Sequence, residues 1–244
     1  MTAPARRPAD QDASRPSPLV VCEAVSRDYH AGTARVAAVR EVSCAVGPGT
    51  RIALTGRSGS GKSTLLHLMA GLDTPTGGTI NWPGLGGVPR EEPGSVGFIF
   101  QGPSLLPELT AVQNIALPRL FGGHSPGHAA ISAAEALSRL GIEDLSDALP
   151  DQLSSGQAQR VAIARALASR PRLILADEPT GRLDAATGAQ VITTLLDVAD
   201  EIDAGLVVAT HDPAVAVRLA ESWQMNDGRL AVSTRRPGQS EERS

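Results

Sequence analysis

The residues with the clearest chemical potential form a glycine-rich segment, 56–63, which reads Gly-Arg-Ser-Gly-Ser-Gly-Lys-Ser. It follows a strand candidate at 51–55 and precedes a helical run at 63–70. Glycines let backbone N–H groups point inward around a phosphate, and the helix start adds partial positive charge. Lys62 can supply a cation to the terminal phosphates, and the Ser63 hydroxyl can bind Mg²⁺. The segment predicts a nucleoside-triphosphate site made by Gly56, Arg57, Ser58, Gly59, Ser60, Gly61, Lys62, Ser63 and Thr64.

Two carboxylates follow an apolar strand candidate at 173–176, in the sequence Leu-Ile-Leu-Ala-Asp-Glu. Open α/β sheets bind their ligands at such strand ends. Asp177 is suited to hold Mg²⁺ through water. Glu178 is suited to act as a general base that orients and deprotonates an attacking water.

A second anion site is predicted at Leu-Ser-Ser-Gly-Gln, residues 153–157, directly before a helical pattern. Hydroxyls and a glycine at a helix N-terminus favour anion binding. Because one phosphate loop already serves one nucleotide, this second site suggests contact with a nucleotide on another chain. An ordinary helix cap is the alternative interpretation.

The order and spacing of these segments resemble the ABC-type ATPases over residues 18–232. The segment at 153–157 is similar to their LSGGQ signature, with Ser155 in place of the commoner glycine. Gln101 resembles the glutamine of the Q-loop, which follows a strand candidate at 96–100.

Three further positions extend the resemblance. Residues 181–184, Gly-Arg-Leu-Asp, resemble the D-loop, although Arg182 replaces the usual Asn. His211 resembles the switch histidine, and Tyr29 occupies the place of the adenine-stacking aromatic. A guanine site of the lysine-bearing type is excluded, because Lys62 is the only lysine among 22 Lys and Arg residues.

The resemblance implies an ATPase that uses ATP and Mg²⁺ and closes as a head-to-tail dimer around two nucleotides. The implied catalytic residues are Glu178, His211, Gln101 and Lys62. The implied metal ligands are Ser63, Gln101 and, through water, Asp177. The implied nucleotide-binding set adds Tyr29, Ser154, Ser155, Gly156, Gln157 and Asp184 to the phosphate-loop residues, Gln101, Asp177 and His211.

Hydrophobic patterning predicts an α/β fold with a mainly parallel sheet flanked by helices. Strand candidates lie at 19–22, 42–46, 52–54, 96–100, 173–176, 206–209 and 230–232, and helices at 62–70, 129–140, 157–169, 185–199 and 213–220. The antiparallel-looking strands cluster at the N-terminal end. Residues 110–170 contain no convincing strand, which predicts an inserted helical subdomain at about 102–171. Residues 1–17 and 233–244 read as disordered tails.

The composition argues against several classes of protein, including nucleic-acid binders and membrane-spanning chains. The net charge of −4 disfavours a general nucleic-acid binder. No stretch approaches the ~18 apolar residues that read as a membrane span, and the N-terminus lacks the apolar core of a secretory signal. Cys22 and Cys44 are too few for a disulfide scaffold and suggest a reduced cytosol.

His124 and His128 have ligand-like spacing, but the neighbouring glycines and prolines argue against a helix and a metal site there.

The sequence therefore predicts the cytoplasmic, peripheral ATPase of a separate membrane permease, with the segment 102–110 facing that permease. Residues 177–184 are most similar to the macrolide-export, lipoprotein-release and cell-division branch. Two alternatives stay open: a regulatory ATPase that controls an extracytoplasmic activity without transport, and a soluble ABC ATPase acting on nucleic acid or ribosomes.

Overall fold

The computed structural model describes residues 16–32 and 34–234. Its strands are β1 (Val20–Ala31), β2 (Ala34–Val46), β3 (Arg51–Thr55), β4 (Gly77–Asn81), β5 (Val96–Ile99), β6 (Leu173–Asp177), β7 (Gly205–Ala209), β8 (Glu221–Asn226) and β9 (Arg229–Thr234). Its helices are α1 (Lys62–Met69), α2 (Ala111–Phe121), α3 (Pro126–Arg139), α4 (Ser155–Ala168), α5 (Ala185–Glu201) and α6 (Pro213–Ala216). Two short 3-10 helices, Glu143–Leu145 and Pro150–Gln152, join α3 to α4.

The strands form two sheets, and the mixed α/β fold expected from the sequence is confirmed. A six-stranded sheet runs in the order β5-β6-β7-β3-β8-β9, parallel except for β9. A three-stranded antiparallel sheet runs in the order β2-β1-β4. Every residue of β6 and β7 is buried, because helices cover the parallel sheet.

Between β5 and β6 the described chain is helical, as the absence of strand patterning at 110–170 predicts. Helices α2, α3 and α4 pack on one another. Ile115, Ala133 and Val161, one from each helix, belong to a single buried cluster. That cluster also includes Ile99 of β5 and Ile174 of β6, so the helical segment is packed on the β5–β6 side of the parallel sheet.

The structure corrects several predicted elements. The sequence patterns did not predict α2, β4 and β8, and β1 and β2 extend well beyond the predicted strands. The helix predicted at 213–220 is only four residues long.

Helix α3 begins at Pro126 rather than at 129, because Ser125 caps it and proline is well tolerated in the first turn. His128 is therefore helical, contrary to the prediction. Among the described residues, no group of three or more His, Cys, Asp and Glu side chains is placed to hold a metal ion.

The predicted tails fall mostly outside the described residues, which leave out 1–15 and 235–244. At the C-terminal side, β9 continues to Thr234, so it includes the first two residues of the predicted tail. None of the helices in the described part combines the length and hydrophobicity that crossing a bilayer requires. Cys22 and Cys44 lie opposite each other on β1 and β2 as free thiols.

Candidate functional site

The phosphate loop connects β3 to α1, as the sequence predicts. Gly61 is the residue before the helix and has φ of 104°, a conformation that glycine adopts without steric cost. Lys62, the first residue of α1, is 7% exposed. Its ammonium group donates hydrogen bonds to the carbonyl oxygens of Gly56, at 2.8 Å, and Arg57, at 3.2 Å. The loop therefore curls around its own lysine.

Three neighbouring strands end beside this loop. The backbone N–H of Thr210, after β7, donates to the carbonyl of Leu54 in β3 at 3.0 Å. The N–H of Glu178, after β6, donates to the carbonyl of Ala209 in β7 at 2.9 Å. These bonds align the strand ends, so the side chains that follow them face one cavity.

That cavity has a volume of about 620 Å³. It brings together the predicted phosphate-loop residues from Arg57 to Thr64 and four predicted residues from other elements. The lining comprises Ala38, Arg57, Ser58, Gly59, Ser60, Gly61, Lys62, Ser63, Thr64, Gln101, Asp177, Glu178 and His211. The cavity therefore holds all the residues expected to be catalytic, namely Lys62, Gln101, Glu178 and His211. Gly56 does not line this cavity, but its carbonyl accepts a hydrogen bond from Lys62.

Glu178 and His211 form the closest pair of titratable groups in the cavity. The Nδ1 atom of His211 lies 2.9 Å from Oε1 of Glu178. The Glu178 side chain is 12% exposed and that of His211 is 75% exposed. The hydrogen bond to Glu178 and the attraction of its charge raise the pKa of His211 above its ordinary value.

Glu178 also has an unusual backbone, with φ of 47°. A non-glycine residue in the left-handed region costs free energy, and such residues are common at functional sites. Here the hydrogen bond from its N–H to Ala209 holds this conformation.

Oxygen donors for Mg²⁺ come from three elements: the hydroxyl of Ser63, the amide of Gln101 and the carboxylate of Asp177. Asp177 is only 6% exposed. Mg²⁺ in nucleotide sites is held by one or two carboxylates together with the substrate phosphates, and this donor set suits it. The Ser60 hydroxyl is buried without a hydrogen-bond partner among the described residues, which leaves a donor for a polar ligand.

The signature-like segment does not reach this cavity within the described chain. Ser154 is the N-cap of α4: its hydroxyl accepts from the N–H of Gln157 at 3.2 Å, and the Gln157 side chain accepts from the N–H of Ser154 at 2.8 Å. Ser154 and Ser155 are exposed, whereas Gly156 and Gln157 are half-buried. Within a single chain, residues 153–157 therefore act as an ordinary helix cap.

Asp184 is likewise a helix cap within the single chain. Its side chain accepts from the hydroxyl and N–H of Thr187 and from the N–H of Ala186. The hydrogen bond from the Thr187 hydroxyl is the main cause that lowers the pKa of Asp184.

Sequence reasoning missed the residues of α4 that hold the Gln101 loop. Gln159, 1% exposed, donates to the carbonyl of Phe100 at 3.2 Å. Arg165 donates to the carbonyl of Ser104 at 2.9 Å. These donors contact the chain on both sides of Gln101 and hold the loop that contains it. Helix α4 therefore links this loop to the signature-like segment at its own N-terminus. No sequence motif marks these contacts, because they join residues about sixty positions apart.

Replacing Glu178 should change the titration of His211. Because the pair favours protonated His211, its stabilising effect is present below the ordinary histidine pKa of about 6.5 and is lost as the pH rises through the raised pKa. We expect Glu178→Gln to lower the pKa of His211 toward its ordinary value, measured by NMR titration of the ring protons. Glu201→Gln, which removes a surface charge paired with Arg139 and Arg170, is the control. An unchanged His211 pKa in Glu178→Gln would contradict the pairing.

Comparisons with known proteins show the family of the chain. The family model described as ABC transporter matches residues 39–181. The ATP-binding cassette MJ0796, solved as a dimer in a post-hydrolysis state bound to ADP and Pi, is 34% identical with a TM-score of 0.83, covering 88% of this chain and 98% of that one. The protein cbiO1 from Clostridium perfringens, part of the ABC transporter complex cbiONQ, is 26% identical with a TM-score of 0.75, covering 89% and 88%. Because the family model covers more than half of the chain and MJ0796 is 34% identical over 88% of it, the chain belongs to the ABC transporter family, as an ATP-hydrolysing nucleotide-binding domain that uses ATP and Mg²⁺.

Proposed function

We propose that this chain is the ATPase subunit of a membrane complex, in which two nucleotide-binding domains close around two ATP molecules and drive a separate permease. The observation that carries the proposal is the single cavity that collects Lys62, Gln101, Asp177, Glu178 and His211. The proposed ABC-type domain covers 18–232, with a helical subdomain at about 102–171. Export or extrusion from the membrane is the direction we favour.

The phosphate loop would bind the triphosphate. Inward-facing N–H groups and the start of α1 supply partial positive charge, and Lys62 supplies a full one. The lysine would exchange its bonds to the Gly56 and Arg57 carbonyls for phosphate oxygens. Ser63, Gln101 and Asp177 would hold Mg²⁺, which neutralises charge that builds up on the phosphates during transfer.

Glu178 is the proposed general base. It would accept a proton from water as the water oxygen bonds to the γ-phosphorus and the bond to the β-phosphate oxygen breaks. The 2.9 Å contact with His211 and the positive φ limit the positions its carboxylate can take. His211, largely exposed at the cavity edge, would orient Glu178 and the γ-phosphate.

Dimerisation would complete the site. Among the described residues, Ser154–Gln157 and Asp184 do not line the cavity of their own chain. Ser154, Ser155 and Asp184 are exposed, whereas Gly156 and Gln157 are half-buried. In a head-to-tail dimer, Ser154, Ser155 and Gly156 would contact the nucleotide held by the partner's phosphate loop. The similar cassette MJ0796 has a dimeric structure, which supports this arrangement.

The permease would contact the segment after Gln101. Leu106 in this segment is 46% exposed, although its backbone is held firmly. Asn114, which is fully buried, donates to the carbonyls of Leu106 and Leu109 and accepts from the N–H of Leu106 at 2.8 Å. Gln101 would sense the γ-phosphate and its Mg²⁺. A rigid loop with an exposed apolar side chain directly after it is suited to transmit the state of the nucleotide to a partner. The chain would therefore lie at the cytoplasmic face of the membrane.

Glu178→Gln is expected to lower the ATP turnover rate by at least about 100-fold, because a general base contributes that much or more. The same variant should accumulate an ATP-bound dimer, measured by light scattering after size exclusion with and without MgATP. Glu201→Gln is the matched control, since it removes an acidic group at the surface. Turnover equal to the natural chain would contradict the role of Glu178.

Detergent co-purification from the native host tests the membrane role. We expect the tagged chain to recover an integral membrane protein, identified by mass spectrometry. An exposed-residue variant, Leu106→Asp, should reduce this recovery while ATP binding is retained. Recovery of ribosomal or DNA-bound material alone would contradict the permease role. An extracytoplasmic hydrolase in the recovered complex would favour the regulatory alternative over transport.

A further inference from the structure

The proposed base-stacking residue, Tyr29, is held by two side chains that no nucleotide motif includes. Its hydroxyl donates to Oδ2 of Asp73 at 2.7 Å. The guanidinium carbon of Arg27 lies 4.7 Å from the centroid of its ring. We call this arrangement the Arg27–Tyr29–Asp73 bracket.

Arg27 and Asp73 also bind each other, so the bracket is closed. Nε of Arg27 donates to Oδ2 of Asp73 at 3.0 Å, and Nη2 lies 2.9 Å from Oδ1. The two side chains are 22% and 20% exposed. Such two-point contacts fix the plane of the guanidinium group as well as its position.

The carboxylate at the centre of the bracket is well anchored. Oδ1 of Asp73 also accepts from the N–H of Thr74 at 2.7 Å. Burial acts to raise the pKa of Asp73, but the hydrogen bonds from Tyr29, Thr74 and Arg27 outweigh it and lower that pKa. At neutral pH the group therefore remains an acceptor.

The bracket joins the antiparallel sheet to the phosphate-loop helix. Arg27 and Tyr29 belong to β1, whereas Asp73 follows α1, which begins at Lys62. Tyr29 pairs with Val36 of β2, two residues before Ala38, which lines the cavity. Tyr29 does not itself line the cavity; it is held near Ala38 by Asp73, which lies four residues after the end of α1.

The contacts restrain the Tyr29 ring without burying it. Arg27 covers one face of Tyr29, and the hydroxyl is tethered at the ring edge, which opposes rotation of the ring. Tyr29 nevertheless remains 38% exposed. An aromatic ring that is already fixed loses less entropy when a base stacks on it than a freely moving ring would lose.

We propose that Arg27 and Asp73 are positioning residues that fix Tyr29 as the surface on which the nucleotide base stacks. This inference rests on the proposed nucleotide site and on Tyr29 as its base contact. Stacking tolerates different bases, so the bracket would improve the binding of ATP and GTP alike. It would have no effect on a ligand that carries phosphates without a base.

The test compares MgATP with inorganic tripolyphosphate in four variants. Tyr29→Ala removes the ring, Tyr29→Phe removes the tether, Arg27→Met removes the guanidinium group, and Asp73→Asn removes the charge. We expect Tyr29→Ala to raise the KM for ATP by about 5-fold to 100-fold, the range typical of losing one base–aromatic stack. The other three should raise it by about 3-fold to 10-fold with kcat nearly unchanged. The inhibition constant of tripolyphosphate should stay constant throughout.

Two further variants distinguish a specific effect on the Tyr29 ring from a general loss of structure. Arg139→Met removes a surface arginine that pairs with Glu201, and it should leave every constant unchanged. The double variant Arg27→Met/Tyr29→Ala should bind ATP no more weakly than Tyr29→Ala, because Arg27 acts only through the ring.

Each contrary outcome has its own meaning. If the natural chain neither binds nor hydrolyses MgATP, the proposed function fails. If Tyr29→Ala binds ATP normally, Tyr29 is not the base contact and the inference is overturned with it. If Tyr29→Ala binds weakly but Arg27→Met binds normally, the bracket has no positioning role although Tyr29 keeps its own. Equal weakening of tripolyphosphate inhibition, or additive losses in the double variant, would assign Arg27 a general structural role and overturn the inference.

Discussion

The phosphate loop packs its glycine backbone directly against the backbone of two strands. A Cβ atom on Gly61 would lie 2.2 Å from the carbonyl oxygen of Ala38 in β2, and one on Gly56 would lie 2.4 Å from that of Met225 in β8. Residue 38 is the extra residue of a β-bulge, since Arg27 pairs with Val39 and Asp28 with Ala37. Contact this close is possible only for glycine, so the loop is fixed between the two sheets. The positions of Lys62, of α1 and of the cavity all follow from this packing.

The strand ends supply the chemistry around that fixed loop. Parallel pairing of β3, β6 and β7 brings their carboxyl ends to one edge, which is where Asp177, Glu178 and His211 lie. Helix α4 provides the second link, since it begins at the signature-like Ser155 and holds the loop around Gln101 through Gln159 and Arg165. Movement of α4 would therefore carry both Gln101 and the segment that we propose faces the partner in a dimer.

Much of this could be predicted from the sequence because its signals are local. The apolar run before Asp177 and the glycine-rich turn before α1 each mark their element within a few residues. The sequence pattern does not predict helix α2, because Pro118 interrupts it, although Thr110 and Gln113 form a capping box at its start. The sequence does not predict strand β8, because only Trp223 and Met225 of its six residues are apolar and none is β-branched. The bracket around Tyr29 could not be predicted, because Asp73 is 44 residues away and carries no motif.

The central claim is that the cavity around the only lysine of the chain binds MgATP, and amine acylation of the natural chain tests it most directly. Lys62 and the α-amino group are the only amines, so the α-amino group serves as the internal reference. Peptide mass spectrometry would give the labelling rate of Lys62 with Mg²⁺ alone and with saturating MgATP. We predict that MgATP strongly slows the labelling of Lys62 while the α-amino group reacts as before. An unchanged labelling rate of Lys62 would contradict MgATP binding in this cavity.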